Sequence, residues 1–390
     1  TTLIDTRLMA KALAIGDREP ALLLTVDNCG VTSEFTESVA NAIRQATGLK
    51  RERLAICYSH THSAPCLSGA VPMLFSVDIP SEHQERIDRY TGKLRDDLVA
   101  IGIQALEQRR PSQVSWATTH AGFAANRRSQ IGPVDHVMPV MRIEEPDGQL
   151  RAFWLSYACH CTTLTGDNNT ICGDWAGYAQ QFLQEENPET LAFVSIGCAA
   201  DANPFPRPGH NYARQHGREI NESVMRLKEE RFTPLSVEPE CQMTYLDLPY
   251  DSAPSLEEWR ERAAGTGPTA YHAGKWLERL EHGETLPDAY SYPLQTWTFG
   301  DSLCMVFLAG EVVADYAVRL RSVYDPERLW IGAYANDFPG YIPSRRVWQE
   351  GGYEGAEATV YFGLPNRFSE DIEDLIVTRL ETIVPSQFRR

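Results

Sequence analysis

Two histidines spaced two apart, His60 and His62 in Ser59-His60-Thr61-His62-Ser63-Ala64-Pro65, follow directly on an apolar run. If that run is a strand, residues i and i+2 face one side, so both rings reach a common centre. Imidazole nitrogen suits zinc. The same pair also fits a turn carrying two surface histidines. A third histidine, His160, ends a second apolar run in Tyr157-Ala158-Cys159-His160-Cys161-Thr162-Thr163. Packing at a strand end is its plain alternative, and Cys159 and Cys161 would project to the opposite face of such a strand. Glu311 follows Phe307-Leu308-Ala309-Gly310. A carboxylate there is solvated, caps the next helix or binds a cation. Tyr341 lies in the turn-rich loop Asn336-Asp337-Phe338-Pro339-Gly340-Tyr341-Ile342-Pro343, where a tyrosine alone carries no signal.

These residues need elements to position them, and the hydropathy pattern supplies candidates. Short apolar runs predict buried strands over 21–29, 54–60, 114–119, 138–143, 152–160, 191–197, 295–299, 303–308 and 329–334. Helical spacing predicts helices from Ser33 and over 82–109, 177–185, 212–228, 256–264, 271–282, 312–324 and 370–383. Their alternation points to a mixed α/β fold, a two-sheet core flanked by helices. The polar stretch 251–288 reads as a helical insertion within one domain spanning 1–390.

The chain carries a formal net charge of −17, spread along its length. Nucleic-acid binding needs a concentrated basic surface, so that partner class is not expected. No run approaches the roughly 20 apolar residues of a membrane span. Nine cysteines without short disulfide spacing, five of them in apolar runs, lean towards a reducing, cytoplasmic compartment. The chain starts at Thr1 and not at methionine, so a preceding segment is expected to be missing. Nothing in the sequence speaks to oligomeric state.

In order and spacing, the blocks SHTHSAP, ANRRSQ, YACHCTTL, CGDWAGYA, GCAADANP and LAGE, and the segment from GYIPS to GGYEG, resemble the neutral/alkaline (non-lysosomal) ceramidase family. The resemblance runs from about Asp5 to the end. It lacks the family's usual start and its C-terminal immunoglobulin-like domain. It implies the catalytic-domain fold of that family and a catalytic zinc held by His60, His160, Glu311 and Tyr341. It also implies that His62 sits beside the reacting group, that Arg127 faces the developing oxyanion, and that Tyr353, followed by Glu354, is the second active-site tyrosine.

One position departs from the pattern. The family carries a nucleophilic serine in Gly-Asp-x-Ser-Pro-Asn, and the matching segment here is Ala200-Asp201-Ala202-Asn203-Pro204-Phe205. Asn203 takes the serine's place, and an amide is no nucleophile. Ser195 reads as packing, and Cys198, between Gly197 and Ala199, as structural. Asp174 and Asp201 are candidates to orient the ligating imidazoles. The expectation is therefore a zinc-dependent hydrolase acting on a small-molecule substrate, cleaving an amide (N-acyl) bond by zinc-activated water. The alternatives are ester or glycoside hydrolysis on a small polar substrate, or a non-catalytic metal-containing binding protein.

Overall fold

The computed structural model describes residues 3–129 and 131–390; Thr1, Thr2 and Gln130, the last residue of the ANRRSQ block, lie outside them. The mixed α/β architecture is the expected one, but the strands divide more finely than into two sheets. A three-stranded sheet runs β1 (Ala10–Ile15), β2 (Ala21–Val26), β3 (Leu54–Tyr58), with β2 and β3 parallel. A five-stranded sheet is built from β4 (Gln113–His120), β6 (Val137–Glu144), β7 (Leu150–Tyr157), β8 (Leu191–Ile196) and the short edge strand β10 (Thr233–Pro234). Between these in sequence, β5 (Ala124–Asn126) and β9 (Ala202–Pro204) form an antiparallel ribbon. A four-stranded sheet holds β11 (Glu240–Pro249), β12 (Ala289–Phe299), β13 (Leu303–Leu308) and β15 (Leu329–Gly332). A second ribbon pairs β14 (Glu311–Val312) in parallel with β16 (Tyr341–Ile342).

The strands β2, β3 and β13 are buried at every residue, which is why they read as unbroken apolar runs and not as alternating ones. Trp154, Trp297, Trp330, Phe307 and Leu23 meet in a buried cluster between the sheets, with the Trp154 and Trp330 rings 4.7 Å apart. Isolated bridges Ile196↔Ala333 and Cys57↔Ala335 stitch the ends of β8 and β3 to the chain leaving β15. Three sheets thus bring the carboxyl ends of β3, β7 and β13 towards one region.

Helices cover the outside: α1 (Ser33–Thr47), α2 (Ser81–Glu107), α3 (Asp174–Glu186), α4 (His210–Met225), α5 (Leu256–Ala263), α6 (Gly267–Glu281), α7 (Asp315–Val323), α8 (Arg345–Glu350), the single turn α9 (Gly352–Gly355) and α10 (Ile372–Ile383). Within the polar stretch 251–288, α5 and α6 pack on each other through Trp259, Ala273 and Trp276 and connect the neighbouring strands β11 and β12. Among the described residues no helix is long and apolar enough to cross a membrane.

Candidate metal centre

His60, His160 and Glu311 each lie two or three residues beyond the end of a strand, and the three strands belong to three different sheets. Their ligand atoms fall within 4.8 Å of one another, and all three residues are buried. Glu311 Oε2 is 3.3 Å from His60 Nε2 and 3.0 Å from His160 Nε2.

The expectation that His60 and His62 share a strand face is corrected. β3 ends at Tyr58, and His60 has a left-handed backbone with φ of 57°. Such a conformation costs an L-residue roughly 1–2 kcal/mol, so the surrounding structure must hold it. The Ser59 N–H bonds back to Val26 O, and the His60 ring packs against Tyr334, Tyr58 and Phe338. His62 meets His60 because the chain turns: the two Nε2 atoms are 3.1 Å apart, with His62 on the solvent side. β7 likewise stops at Tyr157, so Cys159 and Cys161 flank His160 on a loop.

Glu311 is not a helix cap. α7 begins at Asp315, and Glu311 sits in β14 opposite Tyr341 of β16. That ribbon requires a close approach at Gly310, whose φ is 71° and where a Cβ would lie 2.6 Å from Gly340 O.

Neither Asp174 nor Asp201 touches a ligating ring. Asp174 accepts from the Leu164 and Trp175 N–H groups, and Asp201 from Asn126 Nδ2 and the Ala314 N–H. Backbone carbonyls orient the imidazoles instead: Cys29 O lies 2.6 Å from His60 Nδ1, and Ala199 O lies 2.6 Å from His160 Nδ1. A carbonyl only accepts, so each Nδ1 carries a proton and each Nε2 faces Glu311. A buried carboxylate between two such nitrogens needs a positive charge beside it, which a metal ion or a proton on His60 Nε2 can supply. Burial lowers both histidines, yet the Glu311 charge, helped by Cys29, raises His60. Burial and Arg127 hold His160 down. Burial alone would raise Glu311, but the two imidazoles bring it well below the ordinary carboxyl range.

Around this cluster Arg127 acts as a hub. Its Nε donates to Glu354 at 2.6 Å, its Nη2 to the Tyr341 hydroxyl at 3.0 Å, and its Nη1 lies 3.5 Å from both Asn203 Oδ1 and His160 Nε2. Asn203 Oδ1 also accepts from Thr162 Oγ1 at 3.1 Å. Tyr353 is half-exposed, its ring 5.3 Å from that of Tyr341. The structure thus brings His60, His62, Arg127, His160, Asn203, Glu311, Tyr341 and Tyr353 into one neighbourhood. Ser195 packs as expected, bonded to Leu155 O and Trp154 Nε1. Cys198 is fully buried, with burial raising its thiol pKa.

Two contributors escaped the sequence. Glu354 anchors Arg127 and Arg128 together, and the Tyr-Glu pair that contains it was the available signal. Tyr334, with φ of 55°, packs tilted against the His60 ring and edge-on to the His160 ring, and buries a hydroxyl that has no hydrogen-bond partner among the described residues. Nothing in its apolar sequence context marks it. A cavity of about 600 Å³ elsewhere, between β1, Gln108–Ser112 and Leu235–Glu238, holds none of these residues.

No family model matches this sequence, and no curated protein matches it. Solved structures resemble its fold, two ceramidases among them. One is a ceramidase complexed with C2, at TM-score 0.69 and 14% identity, covering 97% of this chain and 74% of that one. The other is the neutral ceramidase from Pseudomonas aeruginosa, at TM-score 0.69 and 15% identity, covering 97% of this chain and 73% of that one. The chain therefore shares the mixed α/β fold of the neutral ceramidases over nearly its whole length.

Proposed function

We propose that this chain is a zinc-dependent hydrolase that cleaves an amide (N-acyl) bond, with His60, His160, Glu311 and Tyr341 as the metal ligands. The observation that carries the reading is the convergence of two carbonyl-fixed imidazoles and a buried carboxylate. The fold shared with ceramidases supports amide chemistry. When bound, the ion would polarise a carbonyl and acidify water, which are the two requirements of hydrolysis.

The protein's own residues supply the rest. Arg127, held by Glu354 and Tyr341, aims a guanidinium edge at the cluster and would stabilise an oxyanion, assisted by Tyr341 and Tyr353. His62, on the solvent side, is placed to pass a proton to the leaving amine. Asn203 has its Oδ1 engaged by Thr162 and Arg127, which leaves its amide nitrogen to donate to substrate. With no nucleophile at position 203, water attacks and no acyl-enzyme forms.

A panel of N-acyl, ester and glycoside substrates, assayed with and without chelator, tests the reading. Amide turnover that is lost with the metal and restored by zinc supports it. Turnover indifferent to chelation sinks it, and metal retention without any turnover would make the chain a binding protein. One observation favours an N-acyl substrate that is lipid-like over one that is small and polar. Leu74, Phe75 and Val77 are exposed on a loop whose Met73 N–H bonds Tyr361 O, beside the segment carrying Tyr353.

A further inference from the structure

Asp5, Cys172 and His210 form a second cluster of ligating side chains, distinct in every residue from the first. They come from three distant stretches. Asp5 lies in the N-terminal strap, whose Ile4 bridges Ile171; Cys172 precedes α3; His210 opens α4. Their ligand atoms fall within 4.8 Å of one another. Asp5 Oδ2 is 3.0 Å from His210 Nδ1 and 3.4 Å from Cys172 Sγ.

The neighbouring hydrogen bonds settle which way these groups point. Asn168 Nδ2 donates to Thr170 O, and Thr170 Oγ1 donates to Asn168 Oδ1, so that Oδ1 is fixed as an acceptor. His210 Nε2 lies 3.0 Å from it and must carry the proton. Its Nδ1 then faces the Asp5 carboxylate at 3.0 Å, where a metal ion or a second ring proton would supply the positive charge between them. Cys172 Sγ accepts from the Asp174 N–H at 3.3 Å and from Thr6 Oγ1 at 3.5 Å, but burial pushes the free thiol up to about 12 and its S–H donates to Asp5, so a thiolate here needs a bound cation. A tetrahedral zinc with Zn–O and Zn–N near 2.0 Å and Zn–S near 2.3 Å places its ligands at about 3.3 Å (O to N) and about 3.5 Å (O to S). The spacings found here are close to both.

We infer that Asp5, Cys172 and His210 bind a second metal ion of the zinc class, which staples the N-terminal strap to α4. One thiolate and one carboxylate would balance its charge, and the partly exposed Asp5 and His210 leave a path and a coordination position for water. The ion also bears on the first centre. Cys172 O accepts from Thr61 Oγ1 at 2.6 Å and the Cys172 N–H donates to Ser63 O, so the residue holds both neighbours of His62, directly after His60.

Cobalt titration of the reduced, chelator-stripped full chain tests this directly. Only a sulfur ligand gives a thiolate-to-cobalt charge-transfer band, and the His60, His160, Glu311 centre contains none. The expected result is such a band in the wild type that persists in His60→Ala and Cys29→Ser and is lost in Cys172→Ser. His210→Ala, at a half-exposed site that folding tolerates, should lose it as well. A wild type without the band, or a band that survives Cys172→Ser or His210→Ala, overturns the inference. A chain binding a single cobalt ion with the band keeps this site and instead sinks the proposed first centre.

Discussion

If no side chain attacks, changing Asn203 to Ala should slow the reaction by roughly 10²–10³-fold, the usual cost of one lost donor, while the metal stays bound. Serine-directed covalent probes should leave the wild type unlabelled. Cys198→Ala is the control, and because that thiol is fully buried it should keep activity. A covalent intermediate trapped by rapid quench and mass spectrometry would overturn the water mechanism. His60→Ala and His160→Ala should empty the proposed centre outright, since removing one of its four proposed ligands leaves the buried Glu311 charge without its counter-ion; elemental analysis of the stripped and reloaded variants checks this. Tyr334 offers a finer test. Its hydroxyl is buried without a partner, so Tyr334→Phe should leave stability unchanged or slightly raised. If the hydroxyl serves substrate or water in the working enzyme, activity should fall all the same, and a variant that loses neither makes Tyr334 mere packing.

Among the elements, α3 and α4 cross so closely at Gly217 that a Cβ would sit 2.5 Å from Tyr178 Cβ and 2.8 Å from Ala179 N. The obstacle is partly backbone, which cannot swing away. Gly217→Ala should therefore destabilise by about 1–3 kcal/mol in urea unfolding, although alanine is the better helix former. The α5–α6 pair carries a pH dependence. Burial, with a smaller push from Arg262, lowers His272 to about 4. The folded state thus keeps a neutral ring that the unfolded chain protonates near 6.5. Its stabilisation is complete above pH 6.5 and lost as pH falls towards 4, about 3 kcal/mol at most. An NMR titration of this ring with a midpoint near 6.5 would refute the assignment. At this scale the sequence was informative where burial is total. Buried strands such as β2, β3 and β13 read directly as apolar runs. Ribbons of two or three residues, β5 with β9 and β14 with β16, left no periodicity to find, and β1, whose six residues include a lysine and three alanines of modest hydropathy, was missed. His60, His160 and Glu311 were legible because each follows an apolar run, whereas Arg127, Asn203, Tyr341 and Tyr353 stood out only through the family resemblance. The geometry of the site was not legible, because it depends on left-handed turns such as that at His60, which no local pattern announces.

The molecule is held together between sheets by a buried polar relay as well as by its apolar core. Lys11 of β1 donates to Gln180 and Gln184 of α3 and to Ala192 O of β8, and Gln180 Nε2 donates onward to Asp27. Burial lowers the Lys11 ammonium to about 8 and raises Asp27. Lys11→Met should cost about 3–5 kcal/mol, because it strands the Asp27 charge. Adding Asp27→Asn should recover part of that loss, and a double-mutant cycle with no coupling would rule the relay out. Substrate choice is also decided at this scale. The α5–α6 region presents a largely polar exterior, whereas Leu74, Phe75 and Val77 present an apolar one. Cleavage rates across a series of acyl chain lengths, in solution and in vesicles, will show which surface meets the substrate: rates rising with length and lost in Phe75→Ser select the apolar loop.

The carbonyls of Cys29 and Ala199, which hold the Nδ1 protons of His60 and His160, belong to the main chain and persist through any side-chain replacement. A centre oriented in this way has few outer positions at which a point mutation can spoil it. Cys29→Ser should keep the metal, where replacement of an orienting carboxylate would ordinarily weaken binding 10–100-fold. Selection is then free to rewrite the sequence around the ligands.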